Sequence, residues 1–145
     1  MSNGPYSSPQ DVARAALRLL SSSDYVSHLD LELSAVLLAV HVCDWHAIRT
    51  LGHPDTGPEF KEAFGNQFPN WKILLSIANG TKHPKARHPD ISAAELRGSK
   101  WQDWDFWLAP MDRDTLFIEI DGMSRSVHTL VFSFCNDYLE RHPER

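Results

Sequence analysis

Between Ser27 and Leu51 the sequence repeats apolar residues at intervals of three and four: Leu33, Leu37, Val40, Ala47, Ile48 and Leu51. That spacing matches the turn of an α-helix and not the alternation of a strand. A long helix is therefore the element around which the rest of the chain has to pack. Successive residues turn about 100° around such a helix, which gathers these side chains into one arc. By the same rule Asp44 falls within about 20° of the centre of that arc, His41 on its flank and His46 nearly opposite, facing solvent. A carboxylate aimed at a core is costly, because an unpaired buried charge loses its hydration. Asp44 needs a partner or a use.

The remaining elements follow from caps and periods. Ser8 before Pro9 reads as an N-cap and first helical residue, opening a helix to about Leu20 with Val12, Ala16, Leu19 and Leu20 on one stripe. Residues 1–7 read as a flexible tail. "GHPDTGP" (52–58) ends the long helix, and a short helix follows at about Glu59 to Phe64. Pro69 opens another, carrying Trp71, Leu74, Leu75 and Ala78, which must stop before Pro84. Residues 84–100 read as a polar connection with one helical turn at 92–97. The period then changes: "WQDWDFWLAP" and "TLFIEID" are aromatic and branched with partial alternation, which predicts an antiparallel hairpin. "DGMS" turns the chain into a last helix, Ser126 to about Arg141, with Val127, Leu130, Val131, Phe134 and Tyr138 on one face. The predicted fold is mainly α, a four- to five-helix bundle with a small antiparallel β-hairpin in the C-terminal half.

At 145 residues the chain is long enough to bury one core, so 1–145 reads as a single domain. A net charge of −5 argues against a general footprint for duplex nucleic acid. Only a local basic segment, "TKHPKARH" (81–88), suits a phosphate backbone. Cys43 and Cys135 fall in predicted helices and read as small core residues of a reducing compartment. There is no basic-then-apolar leader, and no apolar run reaches the ~18 residues of a membrane helix. The expectation is a cytoplasmic protein with no membrane partner.

"IANGTKHP" (77–84) brings a second polar cluster. Extended as a helix, it places Lys82 inside the apolar arc, Asn79 on its margin and His83 further round. If Asn79-Gly80 stops the helix instead, Lys82 and His83 sit on a loop. Three uses are open. Asp44 and Lys82 pair and fix the register of two helices. Alternatively Asp44, His41, Asn79 and His83 form the floor of a site, where a carboxylate orients an imidazole for acid–base work. The third use is a metal held by His41, Asp44 and His83. His28, His53, His88, His128 and His142 are scattered and suit surface or capping roles. No nucleophile motif or phosphate-binding glycine loop occurs, and no cofactor is expected. Trp101, Trp104, Phe106 and Trp107 read as the hairpin packing on the bundle, with any exposed part open to a protein partner or to bases.

On "HVCDW" and "IANGTKHP" the chain resembles a group of uncharacterised bacterial and phage proteins, over roughly residues 28–84. They share a long helix with an Asp-Trp pair and a second helix ending in Ala-Asn-x-x-Lys-His. More distantly the arrangement resembles the HEPN superfamily of helical bundles, many of them ribonucleases of toxin and defence systems. Their motif is Arg-Asn-x-x-x-His at a helix end, with a polar residue from a neighbouring helix. Asn79 and His83 match it, and Asp44 stands as the neighbouring residue. Ala78 occupies the place of the arginine, so Lys82 or Arg87 has to supply the missing cation. The resemblance implies an RNA-binding or RNA-cleaving domain that pairs as a homodimer through its helices. In it His83 is the acid–base group, Asp44 orients, Asn79 and Lys82 meet phosphate, and His41, Lys85 and Arg87 help bind substrate.

Overall fold

Proline and serine caps set most of the helix starts in the computed structural model, which describes residues 4–22, 28–53, 57–82, 93–103, 105, 108–110 and 113–144. Helix α1 (Pro9–Leu20) begins where the Ser8 hydroxyl accepts the Asp11 backbone N–H at 3.1 Å. The residues before it are not a loose tail from residue 4 onward. Tyr6 packs against the core, and the Ser7 backbone N–H and hydroxyl both donate to the Asp11 carboxylate. Helix α2 spans His28–Leu51, α3 Pro58–Gln67 and α4 Pro69–Lys82, with a proline as the first residue of both α3 and α4. The Asn79-Gly80 pair does not stop α4. Ser126 caps the last helix, α5 (Val127–Arg141), by accepting the Thr129 N–H.

The face that α2 buries differs from the arc of its large residues. Ala35, Val36, Ala39, Val42, Cys43 and Ala47 are buried, whereas Leu37, Ile48 and Leu51 are exposed. Alanines on α1 (Ala13, Ala16) and on α2 allow close approach, and these helices share the most extensive contact of any two elements. By length and composition Leu29–Leu51 would suffice to cross a membrane. Its small-residue face is packed within the bundle. The carboxylate that α2 does bury is Glu32, 4% exposed. It accepts the Thr115 hydroxyl and, at 2.8 Å, the Leu116 N–H, tying α2 to the sheet.

That sheet is three-stranded and antiparallel, in the order β1 (Ala93–Arg97), β2 (Thr115–Ile120), β3 (Met123–Ser126). β2 is the strand expected from "TLFIEI", but its partners are not. The helical turn expected at 92–97 is β1, paired from Ala93 opposite Glu119 to Arg97 opposite Thr115. None of the described residues of 101–110 pairs with β2. Described parts of that segment are turns, with Asp103 N–H bonded to the Lys100 carbonyl and Ala109 N–H to that of Asp105. Asp121 and Gly122 join β2 to β3 with φ of 51° and 78°, the positive values a two-residue type I′ hairpin turn demands. Phe64, Phe68, Trp71, Phe134 and Tyr138 form an aromatic centre where α3, α4 and α5 meet. Both cysteines are buried free thiols, as expected of core residues.

Candidate active-site cleft between three helices

Trp71 sets the distance between α2 and α4. Its indole is buried and donates Nε1–H to the Val40 carbonyl at 3.1 Å, so the indole's one donor is satisfied where the two helices meet. Beside this crosslink lies an open cleft of about 430 Å³. Val40, His41 and Asp44 from α2, Lys61 from α3, and Trp71, Ala78 and Asn79 from α4 line it. Ala78 puts only a methyl group against this space.

Asp44 is therefore not aimed at the centre of the core. Its side chain is 42% exposed and faces the cleft, because the helix turns its alanines rather than its leucines inward. His41, 60% exposed and one turn earlier, brings Nδ1 to 3.3 Å from Asp44 Oδ2. The Asp44 hydrogen bond raises the His41 pKa above its ordinary value against opposing partial burial, and the Asp44 charge adds to the rise. His41 is thus held as a proton carrier whose charged form is favoured, with Nδ1 engaged and Nε2 free of that bond. Lys61 adds a cation from a third helix. The arrangement presents an oriented imidazole, an amide and an ammonium to a ligand in one cleft, which suits proton transfer beside a developing negative charge.

Of the residues expected at a site, His41, Asp44 and Asn79 come together here. Lys82 is the last residue of α4, so it is helical rather than on a loop, but its side chain lies outside the described residues. The proposed Asp44–Lys82 pair lies outside them with it. His83, Lys85 and Arg87 are also outside the described residues, as is His88. The metal reading is affected in the same way. Among the described residues no group of three His, Cys, Asp or Glu side chains converges, and His83 was to be the third ligand.

Sequence reasoning missed Lys61, although it placed a short helix at about Glu59 to Phe64, within α3. It also took Trp71 as plain core, although a buried indole always needs an acceptor, which was the available signal. Two histidines depart from the surface roles expected of them. His46 is packed against Phe64 and Tyr138 and is hydrogen-bonded to the latter, not turned to solvent. His128 is partly buried, and desolvation, with the Arg113 charge, pushes its pKa down to about 4.

Comparison with models of protein families, with curated proteins and with solved structures finds no match for this chain.

Proposed function

We propose that this chain is a small cytoplasmic RNA-binding domain that cleaves RNA in the cleft between α2, α3 and α4. One observation carries the reading. His41 and Asp44 from one helix and Asn79 from another line the same open cleft, with Lys61 opposite. The support comes from this geometry and its chemistry.

In this reading the RNA backbone lies along the cleft with Asn79 and Lys61 donating to a phosphate. The 2′-hydroxyl attacks the adjacent phosphorus, and the bond from phosphorus to the 5′-oxygen breaks. His41, whose charged form Asp44 favours, gives its proton to that leaving oxygen. The base that takes the 2′-hydroxyl proton is assigned to His83, one position beyond α4 in the sequence. The products are a 2′,3′-cyclic phosphate and a 5′-hydroxyl.

The test is cleavage of a labelled single-stranded RNA in the presence of EDTA by wild type, His41→Ala, Asp44→Asn and His83→Ala, all purified alike. His41→Ala and His83→Ala are expected to lose cleavage while melting as wild type does. Asp44→Asn is expected to lose about ten- to a hundredfold. Equal cleavage by wild type and His41→Ala overturns the reading.

A second reading, a protein-interaction module, has its own observation: Trp101 is 77% exposed and Leu108 61%. It predicts that wild type does not cleave RNA and that Trp101→Ser abolishes binding to a protein partner.

A further inference from the structure

A second cleft opens where α1, the C-terminal half of α2 and the end of α5 meet, and nothing in the proposed RNA site uses it. It encloses about 570 Å³ and is lined chiefly by Gln10, His46, Arg49, Tyr138, Arg141 and His142. That volume falls within the ~300–1,000 Å³ usual for small-molecule sites. In a protein of net charge −5 this lining contains two arginines and two histidines and no carboxylate. Such a wall favours an anion.

The cations are held in place. Gln10 is buried, and its amide reaches both ways: Nε2–H donates to the His142 carbonyl and Oε1 accepts Arg49 Nη1–H, each at 2.8 Å. Arg141 spends Nε–H on Asp137 Oδ1 at 3.0 Å. Among the described residues no carboxylate lies within ion-pair distance of Arg49, so its charge is the one left for a ligand. His46 Nδ1 is 2.8 Å from the Tyr138 hydroxyl. Burial raises the Tyr138 pKa, so the phenol stays protonated and can donate that bond. With the phenol as donor, the imidazole proton sits on Nε2, which has no hydrogen bond of its own among the described residues. The His142 ring lies 4.8 Å from that of His46, and no described group is hydrogen-bonded to it.

We propose that this cleft binds the phosphate group of a small phosphomonoester, held by Arg49, His46 and His142. Donors on three separate side chains suit the three terminal oxygens of a phosphoryl dianion better than the two of a planar carboxylate. The space beyond a bare ion accommodates an organic body against Thr50 and Pro143. The pKa values of His46 and His142 are both depressed. Desolvation is the chief cause for each, and His142 and then Arg49 add to it at His46, Arg141 and then Arg49 at His142. The side chains around His46 carry no offsetting negative charge: Gln10 on α1, Arg49 on α2, Phe60 and Phe64 on α3, and Tyr138 and His142 at α5. A bound dianion supplies that charge and raises both imidazoles.

The experiment follows the Hε1 NMR signals of His46 and His142 during titration with inorganic phosphate, phenyl phosphate and dimethyl phosphate at constant ionic strength. Phenyl phosphate and inorganic phosphate are expected to move both signals and raise both pKa values, with phenyl phosphate the tighter. Dimethyl phosphate, a monoanionic diester, is expected to leave them in place. Arg49→Gln, at an exposed position, is expected to weaken phenyl phosphate at least about tenfold, the scale of one charge-assisted hydrogen bond. Arg18→Gln, an exposed arginine outside the cleft, is expected to change nothing. The proposal is overturned if the signals ignore phosphate, if dimethyl phosphate acts as strongly as phenyl phosphate, or if Arg49→Gln binds as wild type does. It stands apart from the RNA reading: His41 and Asp44 take no part, so either can fail alone.

Discussion

Glu32→Ala is the substitution that should cost the fold most among its buried polar groups. The Glu32 carboxylate is 4% exposed and accepts the Thr115 hydroxyl and the Leu116 N–H. Thr115 is itself fully buried, so its hydroxyl finds no water when the carboxylate goes. Hydrogen bonds to a charged acceptor are worth about 1.5–3 kcal/mol each, and an orphaned buried donor forfeits its hydration as well. Together these give a loss of about 3–5 kcal/mol, a large share of the ~5–15 kcal/mol that holds a domain folded. For a chain of this size that corresponds to a drop in Tm on the order of 10 °C. Urea unfolding followed by circular dichroism measures it. Glu32→Gln keeps one acceptor oxygen and should lose about half as much. If Glu32→Ala melts within about 1 kcal/mol of wild type, the two bonds return no more than the burial of the charge costs, and Glu32 is not the tie between α2 and the sheet.

Asp103→Ala should cost about 2–4 kcal/mol in the same assay. It removes both forks of the Arg97 pair (2.8 and 2.5 Å) and the bond from Lys100 N–H, and leaves that guanidinium, over the Phe117 ring, with only the exposed Glu95 carboxylate as ion-pair partner among the described residues. Stability should also fall in mild acid. The His128 pKa is lowered to about 4 from 6.5, so the unfolded chain binds more protons between these values. The contribution is complete above pH 6.5 and is lost as pH falls toward 4, by about 1–2 kcal/mol once partial exposure is discounted. His46 and His142 push the same way. His128→Phe should flatten that slope. Burial holds both thiols near a pKa of about 12, so Cys43 and Cys135 should resist a thiol reagent at pH 8 until the chain is unfolded.

The helices were legible because their ends are written in side chains that act locally: Ser8 as a cap, and Pro9 and Pro69 as first residues. What the sequence could not reveal was which face of α2 goes inward. The wheel weighed Leu37, Ile48 and Leu51 by size, whereas packing against α1 selects the alanines that let two backbones come close. The same shift moved Asp44 from the core to the cleft beside His41. It left Glu32, outside the chosen arc, as the buried acid. The sheet was half legible. "TLFIEI" has the residues of a strand on its own account, while "AAELR" is made largely of helix formers and becomes β1 only because β2 offers it an edge. The aromatic segment 101–110 has strand-like composition, but its described backbone bonds close locally into turns. The second cleft had no sequence signature, since Gln10, His46 and His142 meet only through the packing of three helices.

The central claim is that RNA phosphate sits in the cleft beside His41, and the imidazole itself can report on it. The measurement is the His41 Hε1 NMR signal during titration with a short single-stranded RNA made uncleavable by 2′-deoxy substitution, with His46 in the other cleft as the internal comparison. The account predicts that the His41 signal moves and its pKa climbs further above the ordinary value, that His46 stays in place, and that Asp44→Asn lowers the starting His41 pKa. A His41 signal that does not respond while the RNA saturates the protein contradicts it.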